Sequence, residues 1–129
     1  MISLKLNRFE LQLVQAHFFP FIKLAKTTRI KNVAHCSLQS REHLTVLAVN
    51  CITDEIMLAI NKKLINTGGN KIKLKFSDAQ AVIFMELLNS MPLTADNFYL
   101  WNLRNAIVDL LDREITSVKI YSMGLVMNG

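Results

Sequence analysis

The stretch IKLKFSDAQ at residues 72–80 decides the fold, because it joins a strand pattern directly to a helix start. Apolar residues alternate with lysines over its first five positions, which is the period of a strand with one buried face. Ser77 then precedes Gln80 by three residues, the spacing at which each side chain bonds the backbone amide of the other residue. The segment therefore predicts a strand at 71–76 that leads into a helix at 78–90.

A similar pattern occurs seventy positions earlier, in ISLKLNRFE at residues 2–10. It has the same alternation, a lysine at one matched site, and the spacing of a capping box between Asn7 and Glu10. We expect a second strand-to-helix unit here, with a helix from 8 to about 19 that Pro20 should kink or end. One sequence leaves open whether the match records a duplication or two uses of one local solution.

Two longer helices complete the predicted fold. Ser40 is placed to cap a helix at 41–66, which would end where Gly68 and Gly69 allow the chain to turn. Thr94 precedes a last helix at about 96–117. At 1.5 Å per residue the 41–66 helix would be roughly 39 Å long, so it either crosses the whole molecule or projects from it.

Together these elements predict a mainly α (α+β) fold, with four helices and a short two-stranded antiparallel ribbon. A β-α-α duplication is left open by the two matched units. No Pro-, Gly- or Ser-rich linker interrupts the chain, so we expect a single compact domain over 1–129. Its internal pseudo-repeat would divide the chain into 1–70 and 71–129. The tail after Val118 is ambiguous between a frayed helix and a short strand.

The composition combines an apolar surplus with a basic charge. The 129 residues are 51% apolar, more than a small domain readily covers, and the formal net charge is +5. No charge-free stretch reaches the ~20 residues of a spanning helix, and the N-terminus lacks a secretory pattern. We therefore expect a cytoplasmic protein without a membrane partner, whose two cysteines form no disulfide framework.

The apolar surplus favours association through helix faces. In the 41–66 helix, apolar side chains recur every seven residues, and the last helix is apolar over a wide arc around one tryptophan. The leading hypothesis is thus a non-enzymatic helical protein that forms a homo-oligomer, most simply a dimer, or binds a protein partner. The predicted interface residues are Leu44, Cys51, Leu58, Ile65 and Trp101.

The basic residues suggest the alternative, a nucleic-acid-binding protein. Lys71, Lys73 and Lys75 alternate with the apolar residues of the second strand, so they should share its outer face and could neutralise phosphates. Lysines on a small sheet also discourage edge-to-edge aggregation, and this simpler role remains open. Four further bases in the segment 23–31 could extend a basic patch: Lys23, Lys26, Arg29 and Lys31.

Residues 71–112, a strand followed by two helices, loosely resemble the ribbon-helix-helix family of DNA-binding proteins. That resemblance implies that the strand lysines face the major groove while the helices form a dimer core. If the first half is a degenerate copy, strand 2–6 would pair with strand 72–76 inside one chain. Pro92 departs from the glycine usual between the family's two helices, and the 41–66 helix has no counterpart there.

Motifs for catalysis or metal binding are absent from the sequence. His35, Cys36, His43 and Cys51 lie close together in the chain but lack the paired spacing of a closed zinc site. There is no G-x-S-x-G, Gly-rich phosphate loop or H-E-x-x-H motif. We therefore predict no catalytic residues, no metal and no cofactor.

Overall fold

The structure is a computed structural model that describes the backbone of residues 1–128 and the side chains of 1–94 and 96–116. Its elements, in chain order, are strand β1 (Ile2–Asn7), helix α1 (Arg8–Leu13), a π-helical turn (Val14–Phe18), helix α2 (Phe19–Asn32), helix α3 (Arg41–Asn66), strand β2 (Lys71–Phe76), helix α4 (Asp78–Asn89), a 3-10 turn (Ala95–Asn97) and helix α5 (Phe98–Asn128). The segments α1, π turn and α2 follow one another without a gap, so the fold has four helices and a two-stranded antiparallel sheet. This confirms the predicted mainly α class.

The ribbon forms inside one chain. Strands β1 and β2 are antiparallel, with Ile2 opposite Phe76 and Leu4 opposite Leu74. Because side chains alternate across a strand, this register puts the apolar residues of both strands on one face. Those side chains are almost completely buried, whereas the lysines between them are exposed. The ribbon therefore covers one side of the helical core and presents its other face to solvent.

Both predicted capping boxes are formed. The Glu10 amide donates to Asn7 Oδ1 at 2.7 Å, and the Asn7 amide donates to Glu10 Oε1 at 3.0 Å. In the second unit the matching bonds between Ser77 and Gln80 are 3.1 and 2.9 Å. The two strand-to-helix units, seventy residues apart, thus use the same local hydrogen bonds to turn the chain.

The two halves are interlocked through their long helices. Helix α5 of the second half contacts β1, and helix α3 of the first half contacts β2. Residues of α1 and α4 that are seventy positions apart are also buried in pairs: Leu11 and Ala81, Val14 and Phe84, Phe18 and Leu88. Phe84 packs edge-on against Phe76 of the ribbon, with ring centroids 5.7 Å apart. Matched positions of the two units therefore both contribute to the core.

Pro20 does not end the first helix, and the prediction of a helix from 8 to about 19 is wrong at its C-terminal end. The chain continues as α2 to Asn32, with Pro20 in its first turn. The π turn just before it bonds the Phe19 amide to the Val14 carbonyl, five residues back. This change in hydrogen-bond register starts a new helical segment at Phe19. Pro20 lies in its first turn, where a backbone amide would have no partner within the new segment, so the amide hydrogen that proline lacks costs little.

The last helix is longer than the predicted 96–117. A 3-10 turn over Ala95–Asn97 precedes α5, whose backbone runs to Asn128. The tail after Val118, ambiguous in the sequence, is thus helical in its backbone. Helix α3 matches its predicted bounds, and the Ser40 hydroxyl accepts the His43 amide at 3.2 Å as its N-cap.

Candidate nucleic-acid interface

Four lysines share the outer face of the ribbon. Lys71, Lys73 and Lys75 alternate along β2 and are all exposed. The antiparallel register places Lys5 of β1 directly opposite Lys73, and it places Ser3 opposite Lys75. Directly opposed residues of an antiparallel pair have Cβ atoms about 4.5–5.5 Å apart, so Lys5 and Lys73 are close neighbours. We call the four lysines of this face the ribbon cluster.

Lys5 is the residue of this cluster that the sequence did not select. Its signal was present in the match between the segments 2–10 and 72–80, which share a lysine at one site. One lysine on β1 does not by itself indicate a binding site, because the residue opposite it is unknown until the register of the ribbon is known. The pairing of β1 with β2 is what brings Lys5 directly opposite Lys73, on the same face as Lys71 and Lys75.

Within the part of the chain whose side chains are described, the ribbon lysines have no ion-pair partner. The one ion pair found there joins Lys26 to Asp54, away from the ribbon. Glu114 of α5 is the acid that borders the cluster, beside Lys5 and Lys73, without forming an ion pair with either. The charge on the outer face is therefore left for solvent ions or for an external anion.

Two open depressions give access to the lysines. One of about 490 Å³ lies over the ribbon. Its lining residues are Lys5, Leu6, Asn7, Lys71, Ile72 and Lys73. The second, of about 370 Å³, lies between the ribbon and α5, where Ser3, Lys5 and Lys73 face Leu110 and Glu114. Lys5 and Lys73 line both depressions, and the Glu114 carboxylate borders the second.

The second basic segment does not extend this cluster. Along the helical segments α1 to α2, at 1.5 Å per residue, Lys31 is roughly 35 Å from Arg8, where the helix leaves the ribbon. Two of its cations are held by α3: Lys26 pairs with Asp54, and Arg29 donates to Asn50 Oδ1 at 3.1 Å. Burial also lowers the pKa of Arg29 by desolvation. Lys23 and Lys31 are exposed but stand apart from the ribbon.

Arg8 holds the ribbon to the end of α3. Its guanidinium donates to the carbonyl oxygens of Leu64 at 2.9 Å, Gly69 at 3.0 Å and Thr67. Its backbone amide donates to the Asn70 carbonyl at 2.7 Å. Gly69 has φ of +84°, the left-handed conformation that lets the chain turn from α3 into β2. This arginine is therefore a structural cation that fixes the base of the ribbon.

The predicted interface residues of α3 are on its solvent-facing side. Leu44, Cys51, Leu58 and Ile65 are all exposed, while Trp101 of α5 is half-buried. Ile56 and Ile60, on the opposite side of α3, are completely buried. The structure therefore brings the four α3 residues onto one face and leaves that face uncovered within the described chain.

Helix α3 is also long and apolar enough to cross a membrane, judged by length and composition alone. The core helix of a soluble protein passes the same test. Asp54 and Glu55 lie at its middle, and Asp54 is paired with Lys26 of α2. The absence of a membrane partner stays a prediction.

The histidines and cysteines are not assembled into a metal site. Among the described side chains, no group of three or more His, Cys, Asp or Glu residues is placed to hold a metal ion. Cys36 Sγ is 3.6 Å from His35 Nε2, an exposed contact between neighbours in the chain. Cys51 is exposed on α3.

Comparisons of the chain with protein-family models, with curated proteins and with solved structures give no match.

Proposed function

We propose that this protein binds duplex nucleic acid through the outer face of its ribbon, in a non-enzymatic role. The observation that carries the proposal is the position of Lys5 directly opposite Lys73, with Lys71 and Lys75 on the same exposed face. Like charges placed directly opposite each other destabilise a sheet. A phosphate backbone bound there would supply the missing negative charge.

Protection of the sheet edge is a weaker explanation for these lysines. A lysine protects an edge by standing on a strand that another chain could pair with. Both strands of a two-stranded sheet are edge strands, so this role applies to every ribbon lysine and does not depend on how the lysines are paired. Edge protection therefore gives no reason to place Lys5 against Lys73, since serine or threonine at either site would avoid the repulsion.

The dimensions of the ribbon favour duplex nucleic acid over a small anion. Six residues per strand give a length of roughly 20 Å, with the two strands about 4.8 Å apart. The major groove of B-DNA, about 12 Å wide, admits a two-stranded ribbon. The approximate two-fold relation between the strands also matches the opposite directions of the two nucleic-acid strands.

Fluorescence anisotropy with a labelled duplex of about 20 base pairs, at low salt, tests the proposal. We expect submicromolar binding by the wild type and its loss in the triple variant Lys71→Gln, Lys73→Gln, Lys75→Gln. The matched control removes the same charge elsewhere, through Lys23→Gln, Lys31→Gln and Lys63→Gln, and should retain most of the affinity. Binding that survives the ribbon variant, or that is absent from the wild type, would reject the proposal.

A further inference from the structure

We infer that the outer face of α3 pairs with the same face of a second copy of this chain, antiparallel, about a two-fold axis at Leu58. This inference is independent of nucleic-acid binding, because the face belongs to α3 and contains none of the ribbon lysines. It concerns the apolar surplus of the sequence. The fold of one chain leaves part of that apolar surface exposed to solvent.

The face in question is the side of α3 farthest from the core. At about 100° per residue, Leu58 is roughly 200° from Ile56, which is completely buried. Leu58 is 52% exposed and Ile65 is 81% exposed. Apolar residues dominate this solvent-facing side: Leu44, Leu47, Ala48, Cys51, Leu58 and Ile65. An apolar stripe of this kind on a solvent-facing side marks an interaction surface.

The charges on the same face select the partner. Three charged residues lie within about 60° of Leu58 on this face: Asp54, which pairs with Lys26 of α2, Glu55 three positions before Leu58, and Lys62 four positions after it. The apolar residues Cys51 and Ile65 lie seven positions to either side of Leu58. In an antiparallel pair centred on Leu58, each Glu55 therefore meets Lys62 of the second copy, and each Cys51 meets its Ile65. The face is complementary to itself, which is the requirement for a two-fold interface.

Glu55 and Lys62 lie about 60° and 40° to the same side of Leu58. A parallel, in-register pair would instead place the two copies of each residue on opposite sides of the contact, so Glu55 would not meet Lys62. Both charges are available for the antiparallel contact. Lys62 is exposed and forms no ion pair with any described side chain. Glu55 accepts a bond from Gln80 Nε2 at 3.0 Å through Oε2, which leaves its other oxygen free.

The size of the face predicts a dimer of modest affinity. A helix about 39 Å long and roughly 10 Å wide offers a footprint of about 400 Å² per copy. Stable interfaces bury about 800 Å² of accessible surface per partner, so this contact has about half the area of a stable interface and is expected to be weak and transient. We expect a dissociation constant in the micromolar range and a rapid exchange of subunits.

Sedimentation velocity over a concentration series measures the association. The wild type should change from monomer to dimer as its concentration rises through the micromolar range. Leu58→Asp should weaken the dimer by about tenfold or more, because it places two carboxylates at the axis. The same change at Leu24, which is 63% exposed on α2, is the matched control and should leave association unchanged.

Charge reversal tests the antiparallel arrangement. Glu55→Lys alone and Lys62→Glu alone should each weaken the dimer, since each creates two like-charged contacts, and the double variant should restore it. In a parallel pair, neither single variant would change the sign of any contact. With Cys36→Ser and Ile65→Cys, a short bismaleimide should link Cys51 of one copy to the introduced thiol of the other.

Several results would overturn the inference. These are a monomer at all concentrations, a dimer indifferent to Leu58→Asp, or efficient cross-linking of Cys51 to Cys51 in the Cys36→Ser variant alone. Binding to liposomes of neutral phospholipid by a chain that stays monomeric in solution would assign the face to a lipid surface instead, and would equally reject the second copy.

Discussion

Lys5 and Lys73 stand directly opposite each other on the exposed face of the ribbon, one from each half of the chain. Their side chains have no carboxylate partner among the described residues. The strands that carry them are held by apolar pairs on the other face, such as Leu4 with Leu74. The fold thus tolerates a local repulsion on its solvent side, and we attribute that arrangement to binding of a polyanion.

A single charge reversal should separate stability from binding. Lys73→Glu turns the repulsive pair with Lys5 into an attractive one, so the free energy of unfolding should rise by about 0.5–1 kcal/mol. Urea unfolding, followed by circular dichroism, measures this change. The same variant should bind duplex nucleic acid at least about tenfold more weakly. Lys23→Glu, on α2, is the control and should change neither quantity by much.

The opposite outcome has a clear meaning. If Lys73→Glu leaves duplex binding intact, the ribbon lysines do not contact phosphate. If it binds weakly but is less stable than the wild type, Lys73 stabilises the fold and its position opposite Lys5 carries no cost in stability.

Binding should depend steeply on salt. Four phosphate contacts release about four condensed counterions, so the logarithm of the association constant should fall with the logarithm of salt concentration at a slope of about −3 to −4. Each change of one ribbon lysine to glutamine should reduce that slope by about one. Anisotropy titrations at four or more salt concentrations measure it. A slope near zero would mean that the contacts are not ionic.

The two capping boxes should contribute alike to stability. Asn7→Ala and Ser77→Ala each remove one side-chain acceptor at a helix start, so each should lower the free energy of unfolding by about 1 kcal/mol. The caps belong to opposite ends of the ribbon, so the double variant should lose about the sum. Denaturant unfolding checks both statements. A loss confined to one of the two sites would contradict the equivalence of the two units.

Sequence reasoning succeeded where the signal is local. Strand β2 and helix α3 have the predicted bounds, because alternation, an N-cap and a glycine turn act within a few residues. It failed at Pro20, since a π turn changes the hydrogen-bond register and no 3.6-residue pattern signals it. It also missed Lys5, whose role depends on a strand seventy residues away. The same reason applies to Lys26, whose partner Asp54 belongs to another helix.

A buried cation provides a further test of the packing. Arg104 of α5 is 9% exposed and donates to the carbonyl oxygens of Leu88 at 3.0 Å and Met91 at 3.2 Å. It thereby satisfies acceptors at the end of α4. Arg104→Met removes these two bonds, although a backbone amide still donates to each carbonyl, from Met91 to Leu88 at 3.2 Å and from Leu93 to Met91 at 2.8 Å. The free energy of unfolding should therefore fall by about 1–2 kcal/mol.

The measurement for Arg104 is a thermal and a urea melt of the variant beside the wild type. Arg104→Lys keeps the charge but loses the forked geometry, so it should be intermediate. A loss smaller than that of an exposed control, Arg113→Met, would mean that the guanidinium bonds add nothing to the stability that the backbone bonds of the same carbonyls already provide.

Lysine footprinting tests the central claim most directly. The protein is treated briefly with an amine-acetylating reagent, with and without saturating duplex nucleic acid, and each lysine is quantified by mass spectrometry. We predict strong protection of Lys5, Lys71, Lys73 and Lys75, with Lys23 and Lys31 reacting equally in both samples. Protection of Lys23 and Lys31 while the ribbon lysines remain reactive would contradict the account.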